Sequence, residues 1–140
     1  KLYNTKNILA LNNNGKLPVV SVANCLNGFF TSPSPWPSVA EAFLQPEEVG
    51  ASAVWAPTGL GYPSGHRALL KEFYQATFQD EQYVLGAATT LAKIAIAGQN
   101  SSWDELIETY VFFGDPAMQL GVPGASGPGN FSTALPLVIK

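Results

Sequence analysis

Residues 17–30 read LPVVSVANCLNGFF, an apolar run that ends in a small polar turn. The run from 17 to 23 is almost continuously apolar and rich in β-branched residues, which is typical of a strand buried on both faces. Asn27 and Gly28 then supply a turn. The segment also holds Cys25, the single cysteine of the chain. It therefore predicts a buried strand of a parallel sheet with Cys25 at its carboxyl end.

The segments around this strand alternate between strand and helix patterns. Residues 50–56, GASAVWA, predict a second buried strand, and capping boxes at Ser38 and Ser102 predict helix starts, the second helix reaching Phe113. Three more helices are predicted, over residues 5–13 (with Thr5 as the cap), 66–78 and 84–97. This order predicts an α/β fold with a parallel sheet.

Two strands are too few for a stable parallel sheet. Either a third strand lies in an ambiguous segment such as AMQLGV, residues 117–122, or the chain is the C-terminal part of a larger domain. We favour the second interpretation, which predicts an apolar sheet edge or face left open where the other strands belong.

Composition excludes several classes of function. The chain has 140 residues, one domain's worth, a net charge of −3 and no basic run, so nucleic acid is not expected as a partner. No apolar segment is long enough for a membrane span. One cysteine excludes an intrachain disulfide, and no metal-ligand spacing is present. The glycines of GLGYPSG do not fit a dinucleotide loop, so neither a metal nor a cofactor is expected.

Reactive groups of a parallel α/β sheet collect at the carboxyl ends of its strands. Cys25 has that position, and the loops 25–37 and 57–65 are predicted to frame a site. The alternative for Cys25 is an inert buried thiol. His66, the single histidine, begins a helix at the same sheet edge, where a solvated or capping role is the commoner outcome. A stand-alone Cys25–His66 enzyme requires the two side chains to meet.

The order of six motifs resembles the gingipain-like cysteine peptidases of family C25, which belong to the caspase-like clan. The motifs are LPVVSVANCLNGFF, SVAEAFL, GASAVWAPTGLG, LLKEFYQATF, LGAATTLAKIA and FFGDPAMQL, within about residues 8–122. The most specific pieces are Asn24-Cys25 with Gly28 and Phe30, Ala40-Glu41-Ala42 and Gly114-Asp115-Pro116-Ala117. The resemblance implies a caspase-like α/β/α sandwich with a parallel sheet, of which this chain is the C-terminal portion.

The resemblance also implies a domain organisation and a mechanism. Residues 1–120 correspond to the C-terminal half of the peptidase domain, 121–130 to a linker, and 131–140 to the start of a following β-domain or a tail. Cys25 corresponds to the nucleophile, whose thiolate attacks a peptide carbonyl and forms an acyl-enzyme that water hydrolyses. The Cys25 backbone N–H helps to hold the oxyanion.

The substrate pocket corresponds to the loop after the second strand, with Thr58, Gly59 and Tyr62 as its walls. Gingipains carry a tryptophan in this loop, where Tyr62 is the nearest aromatic residue of the present chain. The substrate preference of the family therefore does not transfer.

One family residue is missing from the chain. The catalytic histidine of the family lies in a His-Gly motif upstream of the nucleophile, and residues 1–24 contain no histidine. The resemblance thus implies that the base lies on the N-terminal half of the same domain, which becomes a partner, and that this piece alone is inactive. A protein or peptide substrate and a secreted or cell-surface location in a bacterium are implied. The alternative is a non-catalytic, peptidase-like interaction module of a large surface protein.

Overall fold

The computed structural model describes residues 4–46 and 49–121, together with the backbone of Leu137–Ile139. Five α-helices and four strands are found in these residues, with one 3-10 turn at Ser101–Trp103. Their bounds are α1 (Thr5–Leu9), β1 (Val19–Val22), α2 (Val39–Leu44), β2 (Ala53–Pro57), α3 (Pro63–Phe78), α4 (Leu85–Ile96), α5 (Asp104–Thr109), β3 (Tyr110–Phe113) and β4 (Leu137–Ile139). Apart from Gly121, the linker predicted at 121–130 lies outside the described residues, as does most of 131–140.

The four strands form one mixed sheet in the order β3-β2-β1-β4. β1 lies in the middle and pairs in parallel with β2, Val20 being opposite Val54, and with β4, Val20 being opposite Leu137. β3 pairs antiparallel with β2. The sequence predicted an apolar sheet edge or face left open where further strands belong; in this structure the edge of β1 away from β2 is occupied by β4.

Helices cover both faces of the sheet, because successive residues of a buried strand point to opposite sides. On one face Val19 and Trp55 pack with apolar residues of α3, α4 and α5. On the other face Val20, Val22 and Val54 pack with Ile8 of α1 and with residues of α2. The predicted α/β/α layering and the buried character of the first two strands are confirmed.

The helix predicted from Ser102 to Phe113 is wrong in both its start and its end. α5 begins at Asp104 with Trp103 at its N-cap, and the predicted Ser102 capping box does not form. Asn100 caps the preceding 3-10 turn, where its side-chain oxygen accepts from the N–H of Ser102 at 2.9 Å. α5 ends at Thr109, and Tyr110–Phe113 is a strand beside β2. The sequence YVFF has three aromatic residues and one β-branched residue, which pack well on a pleated surface. This strand, and not residues 117–122, is the third strand that the sequence left unassigned.

α1 is shorter than predicted. It ends at Leu9 and not at residue 13, and its cap is Asn4, whose side chain accepts from the Asn7 N–H at 3.0 Å. Thr5 is the first helical residue and not the cap. In contrast, the capping box that opens α2 is confirmed, with the Ser38 N–H donating to Glu41 Oε2 at 2.8 Å.

Candidate active site

The turn that follows β1 carries Cys25 and is bonded to the loop that follows β2. The Leu26 N–H donates to the Gly59 carbonyl at 3.2 Å, and the Gly28 N–H donates to the Pro57 carbonyl at 2.9 Å. Within the turn, the Asn27 side-chain amide donates to the Cys25 carbonyl at 3.0 Å. These bonds fix the carboxyl ends of two neighbouring strands against each other, which is where the sequence predicted a site.

The backbone of this turn is unusual at two positions. Leu26 has a φ of 62°, in the left-handed region that costs a branched L-residue roughly 1–2 kcal/mol. A Cβ on Gly28 would lie 2.8 Å from the Phe113 ring and 3.2 Å from the Ala56 carbonyl oxygen, so a side chain does not fit there. The sharp reversal directly after Cys25 holds its half-buried thiol at the end of the sheet.

The Cys25 thiol contacts two groups of the neighbouring loop and helix. Its sulfur lies 3.3 Å from the Gly61 carbonyl oxygen and 3.7 Å from Nε2 of His66. Both distances fall within reach of a sulfur hydrogen bond, which is weaker and longer than one between nitrogen and oxygen. The structure therefore brings together the single cysteine and the single histidine, and the condition for a Cys25–His66 pair is met.

His66 is a buried residue, only 2% exposed. The prediction that it is solvated or caps the helix is wrong, because the loop and the later elements close over it. Its own N–H continues α3 by donating to the Tyr62 carbonyl at 3.2 Å. A Cβ on Gly61 would lie 2.6 Å from Leu106, and one on Gly65 would lie 2.9 Å from Trp103. These two glycines, which both precede His66, let the backbone leading into it approach α5 and the 3-10 turn closely.

The electrostatic surroundings of His66 keep its imidazole neutral. Burial lowers the pKa of His66 below its ordinary value, because the charged ring would lose its hydration. Nδ1 is buried and has no hydrogen-bond partner among the described residues. A buried nitrogen of this kind is rare in folded proteins and calls for an explanation.

Tyr110 lies beside this pair and was missed by the sequence analysis, which placed it inside a helix. Its ring centroid is 5.9 Å from that of His66, and its hydroxyl donates to the Val22 carbonyl at the end of β1. Burial raises the pKa of Tyr110, with Tyr74 and Cys25 contributing in the same direction, so the phenol stays protonated. No local sequence pattern marks Tyr110, because its partner Val22 lies 88 positions away.

The three residues predicted to wall a substrate pocket lie in the loop between β2 and α3. The Thr58 hydroxyl donates to the Thr109 carbonyl at 2.9 Å, so it is engaged with α5. Gly59 accepts from Leu26, as described above, and Tyr62 is 63% exposed at the start of α3. Of this loop, the residue that bonds the thiol is Gly61, which the sequence analysis did not single out.

Aromatic side chains are exposed on the loop that follows Cys25. Phe29, Phe30 and Trp36 line an open groove of about 260 Å³, together with Glu41 of α2 and its C-cap Gln45. Trp36 is 66% exposed, whereas Trp55 is a core residue. Across residues 4–46 and 49–121, no three His, Cys, Asp or Glu side chains come close enough to hold a metal ion. No helix within those residues is long and apolar enough to cross a membrane.

Comparisons with known proteins identify a family and a fold. The family model described as Peptidase family C25 matches residues 1–121. Two solved structures have the same fold: the Arg-specific cysteine proteinase gingipain R (RgpB), with a TM-score of 0.76, and the complex of Porphyromonas gingivalis RgpB pro- and mature domains, with a TM-score of 0.75. Each is 21% identical to the chain, and each match covers 84% of this chain and 29% of the solved one. No curated protein matches the chain.

Proposed function

The chain belongs to peptidase family C25, and from that membership we propose that it carries the nucleophile of a cysteine endopeptidase. In this proposal the Cys25 thiolate attacks the carbonyl carbon of a peptide bond. The amine product leaves, and water then hydrolyses the acyl-enzyme and regenerates the thiol. The observation that carries the proposal is the position of Cys25 on a sharp turn at the carboxyl end of a central strand.

The backbone around Cys25 supports an oxyanion site. The Cys25 N–H has no acceptor in residues 4–46 and 49–121, whereas the N–H groups of Leu26 and Gly28 are bonded to the neighbouring loop. A free N–H held rigidly next to the nucleophile suits the negative charge that develops on the carbonyl oxygen. We assign this donor to the oxyanion.

The general base of the reaction is proposed to lie outside this chain. The family pattern places it in an upstream His-Gly motif, and the chain spans only 29% of the length of the solved gingipain R chain. The N-terminal half of the same domain is thus the proposed partner of this half. Without that base, hydrolysis by the 140-residue chain alone is expected to be negligible.

A protein or peptide is the proposed substrate. Thr58, Gly59 and Tyr62 belong to the loop that adjoins the thiol through Gly61, which supports their assignment to the wall of the substrate pocket. The exposed Tyr62 ring offers a surface on which a substrate side chain can pack. A secreted or cell-surface location in a bacterium and a linker at 121–130 complete the proposal. Of the two alternatives for 131–140, a tail is favoured over the start of a β-domain, because Leu137–Ile139 pairs with β1.

A peptidyl acyloxymethyl ketone probe tests this function in the full-length protein. Such a probe alkylates a catalytic cysteine only after binding as a substrate does. We expect labelling at Cys25, and we expect Cys25→Ala to abolish both labelling and peptide hydrolysis while the far-ultraviolet circular dichroism stays unchanged. Hydrolysis that survives in Cys25→Ala overturns the mechanism. A folded protein that neither hydrolyses peptides nor takes the probe is instead the non-catalytic interaction module.

A further inference from the structure

The proposed reaction takes its base from an upstream histidine and leaves His66 without a role. Yet His66 is the buried imidazole that contacts the nucleophile, with Nε2 3.7 Å from the sulfur. A buried neutral ring with one unpaired nitrogen costs stability, because that nitrogen has lost its hydration and gained no partner. An apolar ring would avoid that cost, so the contact with Cys25 is the feature that an imidazole provides here.

The positions of three atoms indicate where the protons lie. The thiol has one proton and two acceptors within reach, the Gly61 oxygen at 3.3 Å and His66 Nε2 at 3.7 Å. The oxygen is nearer, and a carbonyl oxygen has no proton to donate, so the S–H points to Gly61. The contact between His66 and the sulfur is then a hydrogen bond in which Nε2 carries the imidazole proton and the sulfur lone pair accepts it. Nδ1, the atom without a partner, then carries only a lone pair.

We propose that His66 is a positioning residue whose neutral imidazole donates its Nε2–H to the Cys25 sulfur and stabilises the thiolate that attacks the substrate. This proposal rests on the proposed role of Cys25 as nucleophile. When the thiol ionises, its proton passes to the upstream base and the S–H electron pair stays on sulfur. His66 keeps its proton throughout, so it is not the base.

His66 counteracts the effect of the Gly61 carbonyl on the Cys25 sulfur. A carbonyl oxygen beside the sulfur favours the thiol, which can donate to it, and repels the thiolate, which cannot. A hydrogen-bond donor on the sulfur has the opposite effect. The Tyr110 ring packs on His66 at 5.9 Å between centroids, and because its pKa is raised, chiefly by burial, it adds no charge there. His66 is thus the group that offsets Gly61.

Nitrogen-15 NMR of this 140-residue chain tests the proton position directly, because His66 is its single histidine. At pH 7.5 we expect a neutral ring with the proton on Nε2, and we expect the Nε2–H signal to shift when Cys25 is changed to Ala. A proton on Nδ1 contradicts the proposal, and so does a charged imidazolium, which would mean that His66 takes the thiol proton. This readout needs no substitution of His66 and no hydrolytic activity.

A pair of variants tests the effect on the thiol. His66→Phe keeps a ring but removes the donor, whereas His66→Gln keeps an N–H donor on a flexible side chain. With iodoacetamide at pH 7, we expect His66→Phe to slow alkylation of Cys25 by about tenfold, the effect of about one hydrogen bond to a charged group. We expect the half-maximal rate to move to higher pH, and His66→Gln to recover most of the loss.

The controls separate this role from a structural one. Ser64 is exposed and lies in the same turn of α3 as His66. The control variant Ser64→Ala should leave the alkylation rate of Cys25 unchanged. Fluorescence of the buried Trp55 reports whether each variant is folded. An unchanged rate in folded His66→Phe overturns the proposal, as does a His66→Gln variant no faster than His66→Phe. If the probe experiment on the full-length protein fails while these results hold, the peptidase assignment is wrong and the His66–Cys25 bond stands.

Discussion

The hydroxyl of Tyr110 donates a hydrogen bond to the carbonyl oxygen of Val22, which joins the first residue of β3 to the last residue of β1. β2 lies between these two strands, so the bond crosses the sheet just below the turn that carries Cys25. Tyr110 also packs against the Trp55 ring, with centroids 4.7 Å apart. One side chain therefore links three strands beneath the candidate active site.

We expect Tyr110→Phe to lower the free energy of unfolding by about 1–3 kcal/mol, because the ring still packs but the buried Val22 carbonyl loses its donor. Urea denaturation followed by tryptophan fluorescence measures this loss. Tyr62→Phe is the matched control, since it removes a hydroxyl from an exposed ring and should change stability by less than about 0.5 kcal/mol. Equal effects of the two variants would mean that the Val22 bond contributes nothing.

Gly61→Ala should lower the stability of the fold and change the reactivity of the Cys25 thiol. The new Cβ would lie 2.6 Å from Leu106 and 3.2 Å from His66 Nε2, so the loop must move away from the cysteine. Overpacking of this kind costs about 1–3 kcal/mol. We expect a lower urea midpoint and a changed alkylation rate of Cys25. Leu60→Ala, at the exposed neighbouring position, is the control, and identical behaviour of the two variants would refute the close approach.

The pH dependence of stability should carry the signature of His66. Burial lowers the pKa of His66 in the folded chain, so below pH 6.5 the unfolded chain binds the imidazole proton more readily than the folded chain does. The contribution of His66 to stability is therefore complete above pH 6.5 and is lost as the pH falls towards the lower folded-state pKa. Urea midpoints measured from pH 8 to pH 5 should fall more steeply for the wild type than for His66→Gln. A parallel decline in both proteins would contradict the shift.

Two serines with the same sequence context give a matched test of helix capping. The Ser38 hydroxyl accepts from the Glu41 N–H at 3.3 Å. Ser38→Ala should therefore lower the free energy of unfolding by about 1 kcal/mol. Ser102 is exposed, and its predicted capping box does not form, so Ser102→Ala should change stability by less than about 0.5 kcal/mol. Thermal melting of the two variants decides the comparison. A larger effect at Ser102 would contradict the structure of this turn.

The features predicted correctly depend on contacts that are close in sequence. The valines of β1 and the Ser38 capping box of α2 carry their own signal, since burial on both faces and a cap three residues from its partner can be recognised locally. The position of Cys25 at a strand end follows from the same local pattern. The family resemblance, carried by the order of six motifs, supplied the rest of the correct assignment.

The features predicted wrongly depend on distant partners. Residues 110–113 have helix-compatible apolar spacing after α5, and only the free edge of β2 makes them a strand. His66 carries no local mark of burial, because Tyr110, whose ring packs against it, comes much later in the chain. The contact between Cys25 and His66 likewise arises only when the two loops meet. These are tertiary effects, which override local propensity.

The central position of β1 also has a kinetic consequence. Its neighbours β2 and β4 come from the middle and the end of the chain, and the Tyr110–Val22 bond spans 88 positions. Closing such large loops costs conformational entropy before the contacts that stabilise them have formed. Chains rich in distant contacts therefore fold slowly. The local pairing of α3 with α4 can form early, whereas the strand that carries the nucleophile acquires its surroundings last. In a refolding experiment the thiol should therefore reach its final environment only at the end of the slowest folding phase.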